Sequence, residues 1–248
     1  MAKIIAIANH KGGVAKTTSC VNVAAALAKI GRRVLVVDVD PQANLTSSFT
    51  DESKIEASIY DAMKGAPVPV MHIADNLDLI PSHIDLAGAD MVFSNKIARE
   101  QILRNILDDI KDAYDYIFID TPPALGLVTI NALTAAHSVI ISICAETLPL
   151  RGLVMLDEMI GDIARSINRG LHVSGIIIAK YNRRKLDNAV IDAIRAKYGD
   201  KIFKTFVRTC VAAAEAPTYR QSVLDYAPDS NAAADYMALA KEIDSQTI

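Results

Sequence analysis

Cysteine is scarce and scattered in this chain of 248 residues: Cys20, Cys144 and Cys210 form no CxxC pair and no metal-ligand spacing. An odd, widely spaced set excludes a disulfide framework and predicts a reducing compartment, the cytoplasm, with each thiol a small buried side chain. No run approaches eighteen uninterrupted apolar residues, so the sequence offers no membrane-spanning helix. The N-terminus, Met1 to Ala8, leads straight into a strand-like segment without a small-residue cleavage site, which predicts no signal peptide. Linkers rich in Pro, Gly or Ser, internal repeats and low-complexity tracts are missing, so one domain over 1–248 is expected. Wholesale disorder is excluded, because 51% of the residues are hydrophobic and the 22% that are charged nearly balance, at net −3.

What is present is an alternation of short β-branched runs with helix-like stretches. Lys3–Ala8, Arg33–Asp38, Tyr116–Asp120, Ser138–Cys144 and His172–Ala179 read as strands buried on both faces, with Leu77–Ile80 a weaker candidate. Between them, Lys16–Ile30, Asn95–Lys111, Leu150–Asn168, Asp187–Tyr198 and Asn231–Ile243 have helical spacing, and Gly31 is a natural stop for the first. Thr50–Pro69 reads as irregular. The pattern predicts an α/β fold, a single doubly wound domain with a mostly parallel central sheet flanked by helices.

The first strand ends in Asn9-His10-Lys11-Gly12-Gly13-Val14-Ala15-Lys16-Thr17-Thr18, with a helix at once behind it. Strand, Gly-containing loop, Lys-Thr and helix together make a phosphate cradle. Glycines let successive N–H groups face one anion, and the helix N-terminus adds its positive dipole end. Lys16 then falls on the β- and γ-phosphates and the Thr17 hydroxyl on Mg²⁺. The ordinary GxxxxGK[ST] pattern fails, because His10 and Ala15 hold its glycine positions. A KGGxxK[ST] variant remains, with Lys11 at its start; the plainer alternative is a Gly-Gly turn with incidental lysines.

Two further strand ends carry carboxylates. Asp40 follows the second strand and Asp120 closes Tyr116–Asp120, both at the sheet end where doubly wound folds collect ligands. Asp40 can orient an attacking water or hold magnesium through water, and Asp120 suits the magnesium shell. As local sequence, an Asp-Pro is also an ordinary turn and a terminal Asp an ordinary cap. His10, His72, His83, His137 and His172 form no metal or triad constellation.

Lys11–Thr18, Val37-Asp-Val-Asp-Pro-Gln-Ala-Asn and Ile119-Asp-Thr-Pro-Pro together resemble the ParA/Soj family of deviant Walker A ATPases. The likeness extends through Leu79–Ala89, Leu125–Ala136, Tyr198–Thr205 and Glu215-Ala-Pro, nearly the whole chain. The resemblance implies an ATPase with ATP and Mg²⁺ as cofactors, slow alone and stimulated by a ParB-like partner or other cargo adaptor. It implies a homodimer with ATP, in which Lys11 reaches the partner's phosphates, Asp40 positions the hydrolytic water and Asp120 supports Mg²⁺. The nucleotide would lie on Lys11, Gly12, Gly13, Val14, Ala15, Lys16, Thr17 and Thr18, with Asn182 at the adenine; an Asn after a strand is otherwise a turn former. Non-specific DNA binding on the nucleoid, and positioning of a plasmid, chromosome or protein assembly, are implied too. Two stretches depart from the pattern: Ala15 replaces a glycine, and Ala213-Ala-Glu-Ala-Pro-Thr-Tyr-Arg replaces Leu-Ser-Glu-Ala-Pro-Ser-His-Gly.

Charge is distributed unevenly. Lys180 to Arg208 holds nine basic residues against three acidic ones, so this segment carries +6 and the remainder −9. A basic face on an acidic protein is a footprint of phosphate-backbone contact, here through Arg183, Arg184, Lys185 and Arg208. Arg184 and Arg208 also sit where the family places DNA-contacting arginines. The alternative is a solvated helix face, and no aromatic platform for base stacking interleaves with the run.

Other classes fit less well. A MinD-like membrane-associated ATPase needs a basic amphipathic C-terminal helix, whereas Tyr236–Ile248 has one lysine and two acids, so no membrane anchor is evident. An iron–sulfur reductase needs thiolate pairs across a dimer axis. A carboxylate-activating synthetase would need turnover that depends on its substrate.

Overall fold

The computed structural model describes residues 2–145 and 150–246. Among them, β1 (Lys3–Ala8), β2 (Val34–Asp38), β3 (Met71–Ala74), β4 (Leu77–Ile80), β5 (Tyr116–Asp120), β6 (Ser138–Cys144) and β7 (His172–Ala179) form one sheet. Its spatial order is β3-β4-β2-β5-β1-β6-β7, and every neighbouring pair is parallel except β3–β4. Successive side chains on a strand leave opposite faces, so one strand feeds two cores. Ile4 and Ala6 join Leu35, Val37, Ile117 and Ile119 on one face. Ile5 and Ile7 join Val34, Val36, Tyr116 and Phe118 on the other.

The helices are α1 (Lys16–Lys29), α2 (Asn44–Ser47), α3 (Ile59–Lys64), α4 (Ala89–Val92), α5 (Ile102–Asp108), α6 (Leu127–Ala135), α7 (Leu150–Ser166), α8 (Lys185–Tyr198), α9 (Val211–Glu215), α10 (Val223–Tyr226) and α11 (Asn231–Ser245). α1 packs with α11 over the second face. Residues of α3, α5, α6, α7 and α8 cover the first. Burial on both faces is why the strands read as continuous apolar runs.

Three expectations need correction. Asn95–Lys111 is not one helix: Ala98 sits at φ +53°, a short 3₁₀ turn covers Arg99–Gln101, and α5 starts only at Ile102. Residues 94–99 are exposed, so no apolar stripe binds them to the sheet. Thr50–Pro69 is not wholly irregular, because α3 starts within it, with Ser58 N donating to Asp61 Oδ2 at 3.0 Å. The second strand begins at Val34 rather than Arg33. Two elements carried no readable signal. β3 is a four-residue antiparallel edge, and α6 is buried nearly all round and shows no amphipathic stripe.

The register of the sheet builds the site. Asp120 stands opposite Ile7 of β1 and opposite Asp38 of β2, so the carboxyl ends of three strands meet at one place. That end of the sheet is where a doubly wound fold opens its ligand crevice.

Candidate nucleotide site

The loop after β1 is held from both ends by β6. Asn9 donates through Nδ2 to the Ser142 carbonyl at 2.7 Å and accepts from Lys11 N at 3.0 Å. The Ser142 hydroxyl donates to the Val14 carbonyl at 2.6 Å. Between these ties, Gly13 turns at φ +74°, a left-handed backbone that glycine takes without penalty. Ala15 caps α1 at φ +62°, ψ +30°. An alanine there costs about 1–2 kcal/mol relative to a right-handed conformation, which gives the family's glycine at this position a physical reason.

Lys16 is buried, and its Nζ donates to the Lys11 carbonyl at 3.2 Å. Burial lowers its pKa, while Asp120 and Asp40 hold it up. The Thr17 hydroxyl donates to Asp120 Oδ2 at 2.7 Å. Asp120 is fully buried and its Oδ1 has no hydrogen-bond partner. Burial foremost, with the Asp38 charge beside it, pushes its carboxyl well above the usual range. A buried carboxylate oxygen without a donor, next to a threonine hydroxyl and two further aspartates, is a donor set for a hard divalent cation. The residues fit magnesium.

Asp40 is 7% exposed and accepts Gln42 N at 2.9 Å, so the turn and the cleft wall are the same residue. Its place is fixed by Asp38, a residue that the sequence presents only as the end of a strand. Asp38 accepts Asp40 N at 3.1 Å, Thr46 N at 2.8 Å and the Thr46 hydroxyl at 2.7 Å, pinning the loop and α2 together. Its carboxyl is pushed up to about 6 by burial, against those three bonds.

A cleft of about 520 Å³ opens here, with Gly12, Gly13, Ala15, Lys16, Thr17 and Thr18 on one side and Asp40, Gln42 and Asn44 on another. Pro123 and the segment Ala214–Gln221 complete it. In that segment Arg220 stands at φ +56° and forms an ion pair with Asp51. An apolar cavity of about 310 Å³ adjoins, bounded by Ala15, Thr18, Cys210, Ala213 and Tyr236. Val14 is buried behind the loop; Lys11, Gly12 and Gly13 are exposed at its crest. Asn182 is not part of the cleft wall: its Nδ2 folds back to the Lys180 carbonyl at 3.2 Å. Lys180 lines the cleft instead, and nothing in the sequence pattern marks it.

The basic segment divides in two. Arg183, Arg184 and Lys185 are exposed at the N-terminal end of α8, and no carboxylate among the described residues forms an ion pair with them. Asp187 on the first turn caps the backbone N–H groups of Asn182 and Arg184. Arg208 comes beside Tyr181 through a parallel bridge, but its guanidinium grips Asp235 with bonds of 2.9 and 2.6 Å. Lys197 pairs with Asp157 and Arg195 with Asp192. The structure therefore brings four of the nominated basic residues to one region and occupies one of them internally.

Comparison with known proteins is consistent across the chain. A family described as an AAA domain matches residues 2–173. Sporulation initiation inhibitor protein Soj of Bacillus subtilis is 41% identical over 249 aligned residues, covering 98% of each chain. A structure titled cobyrinic acid a,c-diamide synthase from Mycobacterium smegmatis, with bound ATP analogue and magnesium, is 32% identical with a TM-score of 0.85, covering 97% of this chain and 93% of that one. A plasmid partition protein of Borrelia burgdorferi, bound to AMPPNP, is 27% identical with a TM-score of 0.80, covering 98% and 97%.

Proposed function

The chain belongs to the ParA/Soj family of P-loop ATPases, and from that premise we propose a Mg²⁺-dependent ATPase whose ATP-bound homodimer holds DNA without sequence preference and positions a cargo. A ParB-like partner would stimulate hydrolysis and release, with the protein cytoplasmic and concentrated on the nucleoid. In this reading the N–H groups of residues 12–17 take the phosphates, and Lys16 neutralises them from the mouth of α1. Thr17 would ligate magnesium directly, with Asp120 and Asp40 holding it through water, and the ion would neutralise the phosphate charge that grows during transfer. Asp40 orients the attacking water. Lys11 is exposed at the start of the loop, whereas Lys16 is buried, and it suits a reach across to a second copy.

One observation carries the DNA half of the proposal: Arg183, Arg184 and Lys185 crowd the N-terminal end of a 14-residue helix. Cations there oppose the helix dipole, a cost that an arriving phosphate relieves. No helix among the described residues is long and apolar enough to cross a membrane. The decisive experiment measures retention on two unrelated duplexes with ATP and with ADP, over a range of salt. Binding that needs ATP, ignores sequence and falls steeply with salt is the expected result; equal weak binding in both nucleotides would reject it.

A second reading follows from the likeness to the protein titled as a diamide synthase: ATP would activate a carboxylate for amidation. The two separate cleanly. A synthetase turns over only with its carboxylate and a nitrogen donor, whereas the positioning ATPase turns over slowly alone and responds to DNA and a partner protein.

A further inference from the structure

One of the nine basic residues does not belong to the basic surface. Lys180, the residue after β7, adopts φ +53°, and its side chain runs to the phosphate loop, where Nζ donates to the Gly13 carbonyl at 3.0 Å. It lines both the polar cleft, beside Lys16 and Thr17, and the apolar cavity, beside Cys210 and Tyr236, and so stands between the two. No carboxylate among the described residues forms an ion pair with it. A left-handed lysine is uncommon and persists where the surroundings fix it. Among the described residues the partner of this ammonium is a neutral carbonyl, and hydrogen bonds to ionised acceptors are roughly twice as strong. That carbonyl lies on the turn whose N–H groups face a bound phosphate, so a small rotation of a four-methylene side chain carries the charge from the carbonyl to the anion.

We propose that Lys180 is a third cation of the nucleotide site, supplied by the same chain from β7, and that it contacts the polyphosphate at its sugar end. The inference rests on the reading of the cleft as a nucleotide site. Lys16, Thr17 and Asp40 line the polar cleft and not the apolar cavity, and the terminal phosphate belongs with them. Lys180 stands instead at the junction of the loop and the apolar cavity. A contact at that end is common to ATP and ADP, so it sets affinity for both and does not discriminate between them. Without nucleotide, the same side chain braces the Gly13 turn.

The test is calorimetric titration of the full chain with ADP and with a non-hydrolysable ATP analogue, for the parent, Lys180→Met and Lys180→Arg. Lys180→Met should weaken both ligands by a similar factor, about tenfold for one charge-assisted contact, and Lys180→Arg should recover most of the loss. Undiminished binding by Lys180→Met would overturn the proposal. So would a loss confined to the ATP analogue, which would place the contact on the terminal phosphate. An equal loss in both variants, with a matching fall in the melting temperature of the nucleotide-free protein, would reduce Lys180 to a structural tie and overturn it too. A parent that bound neither ligand would sink the nucleotide reading as well, a failure distinguishable from the others.

Discussion

The phosphate loop and the basic segment both advertise themselves by lysine and arginine, yet they organise charge in opposite ways. Where the loop enters α1, charge is buried: Lys16 lies among Asp120, Asp40 and Asp38, with burial lowering the pKa of Lys16 and raising that of Asp120. In the segment from Lys180 to Arg208 charge lies mostly on the surface, and three of the nine cations are paired: Arg195 with Asp192, Lys197 with Asp157 and Arg208 with Asp235. A short contiguous motif dictates its own geometry, because its eight residues, Lys11 to Thr18, are held together by the chain itself. A charge count over 29 residues does not, because the partners that decide which charges are available come from distant elements.

The sharpest way to break this contrast is at Asp40. Asp40→Ala should bind ATP within a few-fold of the parent while turnover falls by about a hundredfold or more, the usual worth of a positioned proton acceptor. Parental turnover would leave Asp40 as nothing more than the Asx turn to Gln42. Next in size, Lys16→Ala should weaken ATP binding on the order of a hundredfold, since a buried charged donor is removed. Lys11→Ala should leave binding by the monomer nearly intact and abolish the ATP-dependent dimer in sedimentation. Identical behaviour of the two variants would erase the distinction between the buried and the exposed lysine.

On the surface side, Arg184→Glu should reduce DNA retention several-fold, lower the salt slope by roughly one unit and leave the melting temperature no lower, since an anion at the start of α8 suits the helix dipole. Arg208→Glu should lower the melting temperature as well, because it sets a carboxylate against Asp235 in place of a bidentate pair. If Arg208→Glu left stability untouched, the pair with Asp235 would be contributing nothing. The smallest effect belongs to Ala15→Gly. Relief of the left-handed strain, less the added freedom of the unfolded chain, should raise the melting point by about 2–4 °C in thermal unfolding. A fall would mean that the Ala15 methyl contributes more by packing than it costs in strain.

Much of this was legible in the sequence. The six strands, the loop and the three strand-end groups follow from apolar runs that stop at polar residues, and the parallel sheet aligns those ends by construction. Asp38 was not legible, because a carboxylate that accepts three bonds inside the protein looks the same in sequence as one that ends a strand at the surface. Lys180 was hidden by its neighbours: counted with Arg183, Arg184 and Lys185, it reads as part of a patch, and only its turn toward Gly13 separates it. The break at Ala98 and the helix α6 failed for opposite reasons, one being too polar to anchor and the other too apolar to show a face.

One close contact has a consequence for the molecule as a solute. The chain from Ile202 to Thr209 runs along the outer side of β7, bonded from Phe203 N and Val207 N to the strand and from Tyr181 N back to it. A Cβ on Gly175 would come within 2.3 Å of the Phe203 ring, so the covering chain seats there only because that residue is glycine. The opposite margin ends in the short β3, which runs against the sheet's direction. Both borders that a foreign strand would need for templated growth are thus taken or truncated. A sheet with neither border open to a foreign strand resists edge-to-edge fusion between copies, however concentrated the solution.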